Sequence, residues 1–160
     1  MLIVEKIRGN LNGDAKIDRR TVDYVDLRQE DLPKTHCRLT SRSGRVLGLS
    51  LPQGFGLADG DILYEKDGIA IAVSLLEEDV LEITPASRAE WAITAFNIGN
   101  MHHSIFLTAD SILTAYDGAV ERLLQAIGVA YERKQRKLNG MRASAQMRQN
   151  HSHGGHSHGI

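Results

Sequence analysis

Midway along the sequence the spacing of apolar residues changes, and that change restricts the chain to two dissimilar parts. Up to about residue 76 the apolar residues come in short runs cut by glycine turns. Leu2–Ile7 is closed by Gly9-Asn10, a second turn follows at Asn12-Gly13-Asp14, and Arg45–Leu49 is another brief run. After the turn at Asp59-Gly60, the runs Ile62–Glu65 and Ile69–Val73 flank Asp67-Gly68. Runs of this length bounded by turn residues read as strands, and the last two as a hairpin. Glu77-Glu78-Asp79 then reads as a solvated acidic linker.

From there strand and helix signals alternate. Val80–Thr84 interleaves apolar and polar residues before Pro85. Ser87 and Glu90 have the spacing of a capping box, and Trp91, Ala92, Ala95, Phe96 and Ile98 supply an apolar helical face over residues 88–98, ending at Gly99. Ser104–Thr108 and Ser111–Thr114 are short strands. Val120, Leu123, Leu124 and Ile127 recur at helical spacing before Gly128, and Val129–Arg133 can form a last strand. Strand, helix, strand, strand, helix, strand is the order of a ferredoxin-like unit. The fold class that follows is α+β: a mostly-β domain over residues 1–76, a ferredoxin-like βαββαβ domain over 77–140, and a flexible His-rich tail over 141–160.

Charge and cysteine content narrow the partners. The 160 residues carry 19 Lys and Arg against 20 Asp and Glu, which gives no net field to attract nucleic acid or an anionic membrane. The opening Met1–Lys6 is too short an apolar run for a signal segment. A cytoplasmic location is expected. The one cysteine, Cys37, has no internal partner, as suits a reducing compartment. Its neighbour His36 would lie on the other side of an extended strand, so a packing role is favoured over a catalytic thiol.

Histidine is where the chemistry concentrates. Of the 7 histidines, His151, His153, His156 and His158 fall in the closing HSHGGHSHGI, separated only by Ser and Gly. Neutral imidazole is a good ligand for nickel, copper and zinc, and a flexible tract lets several rings converge on one ion. The competing reading is an engineered affinity tag, but such tags are uninterrupted histidine runs. A second cluster, Gly99-Asn100-Met101-His102-His103, follows the first helix of the second half. A turn at that point presents a histidine on rigid backbone. One ligand per chain holds an ion poorly, but a two-fold homodimer with the turn at its axis would supply the same histidine twice. Alternatively, one ring points outward and the other packs, without any metal role. Met101 reads as a packing residue, since a thioether suits Cu(I) better than Ni(II) or Zn(II).

The sequence lacks Cys-x-x-Cys, His-Glu-x-x-His, a P-loop and Gly-x-Ser-x-Gly. No nucleophile, base and orienting group can be named together, so the expectation is a protein that is not an enzyme.

These residues carry a resemblance. Val46–Gly54 followed by Leu57–Leu63 looks like the N-terminal β domain of the urease accessory protein E family, the nickel metallochaperones of urease maturation. Asn97-Ile98-Gly99-Asn100-Met101-His102 is similar to that family's Gly-Asn-x-His signature. The resemblance implies delivery of Ni(II) to apo-urease and makes His102 the nickel ligand at a homodimer interface. It implies the urease apoprotein and its accessory GTPase as partners, and a partner- or peptide-binding role for the β domain. Zn(II) or Cu(II) would bind the same histidines in vitro. Two departures stand out. Thr114–Gly118 lacks the additional histidines that some members carry near the second helix, and Met101 replaces the common Arg, with His103 following directly. Two other functions fit the residues: a metal store built on the tail, and a metal-independent peptide-binding co-chaperone.

Overall fold

The computed structural model describes residues 1–13, 18 and 21–143. The chain divides into two compact units, Met1–Glu78 and Asp79–Ile160. It is α+β, with eleven strands and two α-helices among the described residues.

The first unit holds β1 (Leu2–Val4), β2 (Val22–Leu27), β3 (His36–Thr40), β4 (Val46–Ser50), β5 (Ile62–Lys66) and β6 (Ile69–Leu75). They form two three-stranded sheets, ordered β1-β4-β3 and β2-β6-β5. One buried cluster draws Val4, Leu39, Leu47 and Leu49 from the first sheet and Val25, Leu63, Ile71 and Val73 from the second. The two sheets therefore pack face to face, with alternate side chains of each strand turned inward. The Asp67-Gly68 hairpin forms as the sequence predicts: both residues take positive φ, 52° and 76°, and β5 pairs antiparallel with β6. The run from Leu2 stops at Val4 because β1 is a short edge strand, paired parallel with β4. Strands β2 and β3 were not signalled. In β3 the inward Cys37 and Leu39 alternate with His36, Arg38 and Thr40, while β2 divides its apolar residues between two clusters and is interrupted by Asp23 and Asp26. Cys37, on β3, is half-buried against the cluster, as a packing residue should be.

The second unit contains β7 (Glu77–Ile83, whose first two residues belong to the first unit), α1 (Arg88–Asn100), β8 (Phe106–Leu107), β9 (Ile112–Ala115), α2 (Gly118–Ile127), β10 (Tyr131–Lys137) and β11 (Met141–Arg142). The sheet order is β10-β7-β9-β8-β11. Leu81, Ile83 and Ile112 meet Ile98 of α1 and Val120 and Leu124 of α2 in one core, while Val80, Phe106, Leu113 and Leu138 close a smaller one. Gly128 ends α2 in the left-handed conformation, at φ 73°.

Two expectations are corrected. Glu77-Glu78-Asp79 is not a solvated linker but the start of β7. Two of its three carboxylates have partners: Glu78 accepts from the Gln29 amide at 3.2 Å, and Asp79 pairs in bidentate fashion with Arg133. The first helix also runs past Gly99, through Asn100, because Met101 and the two histidines after it complete the cap. The tail histidines His151, His153, His156 and His158 lie outside the described residues.

Candidate metal centre at the end of the first helix

Ser87 starts α1 by accepting the Glu90 amide at 3.1 Å, while the Glu90 carboxylate accepts the Ala86 amide. Ile98 is fully buried, and Trp91, Ala95 and Met101 pack around the same core. Met101 therefore faces inward and pins the last turn of the helix. Phe96 and Ala92 do not join this face. They lie on the opposite side with Ala89 and Ile93, where Phe96 is 70% and Ile93 50% exposed. The sequence held the signal: α1 carries more apolar positions than one buried stripe uses, so a second apolar stripe was left for something else.

The helix ends in a double cap. The His102 amide donates to Gly99 O at 2.9 Å and the His103 amide to Ile98 O at 3.4 Å, the paired bonds of a Schellman motif. The residue between them must be left-handed, a place usually given to glycine. Here it is His102, at φ 61°. Among the described residues only Asp67 shares a positive φ without being glycine. Holding a histidine there costs about 1 kcal/mol or more. In return, an exposed imidazole stands on rigid backbone at the end of the exposed apolar stripe. The last turn of α1 has no basic residue, so the negative end of the helix dipole is left for a cation.

His103 is separately placed. Its Nε2 lies 3.8 Å from Asp117 Oδ2, with the two side chains 33% and 39% exposed. Asp117 caps α2: its Oδ1 accepts the amides of Ala119 at 2.8 Å and Val120 at 3.2 Å. The Val120 and Ala119 amides hold its carboxyl below the ordinary aspartate range. Sequence reading missed Asp117, which sits fourteen positions from His103 and meets it only through the fold. Among the described residues, no three His, Cys, Asp or Glu side chains converge on one point within the chain. A single copy thus brings His102 alone to the turn and His103 to Asp117. No helix among the described residues is long and apolar enough to cross a membrane.

Comparison with known proteins covers both units. Residues 4–76 match the family model described as UreE urease accessory protein, N-terminal domain, and residues 78–160 match its C-terminal domain. Relatives named urease accessory protein UreE include those of Bacillus sp. (strain TB-90), 34% identical over 86% of this chain and 92% of the relative. That of Geobacillus kaustophilus is 36% identical over 86% and 92%, and that of Staphylococcus carnosus 35% identical over 86% and 93%. They are named as accessory proteins, not as enzymes.

Proposed function

The chain belongs to the UreE urease accessory protein family, and on that premise we propose that it is a nickel carrier of urease maturation. It works as a homodimer in the cytoplasm and hands Ni(II) to apo-urease through the urease accessory proteins, including their GTPase. We read the second unit as the ferredoxin-like domain, on the β10-β7-β9-β8 strand order with α1 and α2 as its two crossovers.

The observation that carries this reading is His102: an exposed imidazole in a left-handed cap, next to an exposed apolar helix face. An apolar stripe of this kind marks an interaction surface. Pairing it with itself about a two-fold axis buries Phe96 and Ile93 and brings the two His102 turns together. One Ni(II) then bridges two imidazoles, with two helix C-termini favouring its charge. Such a site is incomplete within either chain. It leaves coordination positions for the tail histidines, or for ligands of a receiving protein, and exchange of ligands one at a time permits delivery.

The first unit supplies the partner contact. Met1, Leu2, Arg45, Val46, Tyr64 and Ile69 line a cleft of about 280 Å³, and Met1 and Ile69 among them are exposed. That cleft also favours the second reading, a peptide-binding co-chaperone that acts without metal.

The test is nickel titration by equilibrium dialysis, paired with activation of apo-urease under limiting nickel. The full chain is used with His151, His153, His156 and His158 replaced by Ala, with and without His102→Gly. A bridging ion lost together with activation when His102 is replaced is the expected result. Unchanged nickel binding and activation would leave the metal-independent reading.

A further inference from the structure

We infer that His103 and Asp117 form a second divalent-cation site, one in each chain, separate from the bridging position at His102. The geometry asks for little movement. A cation held by one nitrogen and one oxygen at bonds of about 2.1 Å sets them about 3.0 Å apart in octahedral cis positions and about 3.4 Å apart in a tetrahedron. His103 Nε2 and Asp117 Oδ2 stand at 3.8 Å. A small side-chain rotation closes the difference.

Both donors are anchored. The His103 amide completes the cap of α1 by bonding Ile98 O, which fixes the point from which its ring extends. Asp117 is tied through Oδ1 to two amides at the start of α2, so the carboxylate is oriented while Oδ2 remains turned toward the imidazole. With about a third of each side chain open, water can complete the coordination shell. Imidazole with a carboxylate and water suits a borderline first-row ion such as Ni(II) or Zn(II). Two features keep the site weak: it has only two protein ligands, and the positive end of the α2 dipole and the charge of Arg122 both act on Asp117. A weak site beside a bridging one suits an ion in transit. It needs no second chain, so it stands or falls independently of the bridging reading.

The experiment is Ni(II) equilibrium dialysis on the full chain carrying Ala at the four tail histidines, compared with the same chain bearing His103→Ala, Asp117→Asn or His102→Gly. Asn caps a helix as well as Asp does, so Asp117→Asn removes the charged ligand and keeps α2. Thermal unfolding followed by circular dichroism verifies this. The expected result is that His103→Ala and Asp117→Asn each remove one weak ion per chain and leave the bridging ion. His102→Gly should do the reverse. Unchanged stoichiometry and affinity in Asp117→Asn, or loss in His103→Ala without loss in Asp117→Asn, would overturn the pair. Loss in both, with no effect of His102→Gly, would keep the pair and remove the bridging reading.

Discussion

The amide of His102 donates to the Gly99 carbonyl at 2.9 Å while the His102 backbone sits at φ 61°. A cap position that glycine fills without cost is filled here by an imidazole. Strain of this kind persists when the side chain is needed. His102→Gly should therefore fold at least as stably as the natural chain, by up to about 1 kcal/mol in urea unfolding, while losing the bridging ion. A variant that is less stable would mean that the ring is held for packing.

Phe96 is the second half of the claim. At 70% exposure it contributes little to the fold of its own chain. Phe96→Asp should leave the unfolding free energy of the monomer nearly unchanged, within about 0.5 kcal/mol. It should weaken self-association at least tenfold, or about 1.4 kcal/mol, because two carboxylates would face each other across the axis. Sedimentation velocity with and without nickel measures this. A dimer of undiminished strength would place the interface elsewhere.

A third prediction concerns the first unit, where Asp23 on β2 ties down the turn between β3 and β4. Burial pushes its carboxyl up, but hydrogen bonds from the side chains of Ser41 and Ser43, the Ser43 amide and Arg45 outweigh it and bring it to about 2. The folded value lies below the ordinary 3.8. The stabilisation is therefore complete above about pH 4 and lost as pH falls toward about 2. Discounted for solvent screening, it is on the order of 1 kcal/mol. Acid unfolding of Asp23→Ala followed by circular dichroism should show a correspondingly flatter fall in stability between these pH values. An identical acid profile would show that the carboxylate adds nothing.

Much of the second unit could be read from the sequence, because its signals are local. The Ser87 and Glu90 cap, the helical spacing of Val120 and Leu124, and Gly128 each act within a few residues. The strand β3 was hidden because Cys37 and Leu39 alternate with His36, Arg38 and Thr40. In β2 the apolar residues divide between two clusters, Val25 and Leu27 in one and Val22 with Tyr24 in the other, and Asp23 and Asp26 interrupt the run; Arg42 of the β3–β4 turn reaches Asp26. Acidic residues at 77–79 looked like a linker for a related reason, since Arg133 and the Gln29 amide, which satisfy Asp79 and Glu78, come from distant positions. At the candidate site the identity of His102 was legible, whereas its left-handed backbone, the outward Phe96 stripe and the meeting of His103 with Asp117 depend on how α1 and α2 lie on the sheet.

The most direct measurement is anomalous diffraction at the nickel edge from crystals of the nickel-loaded full chain. The account predicts one nickel peak on a two-fold axis between two chains, bonded to the imidazole of His102 from each. A pair of His102 side chains too far apart to share an ion, or a nickel peak bound within one chain with His102 uninvolved, would contradict it.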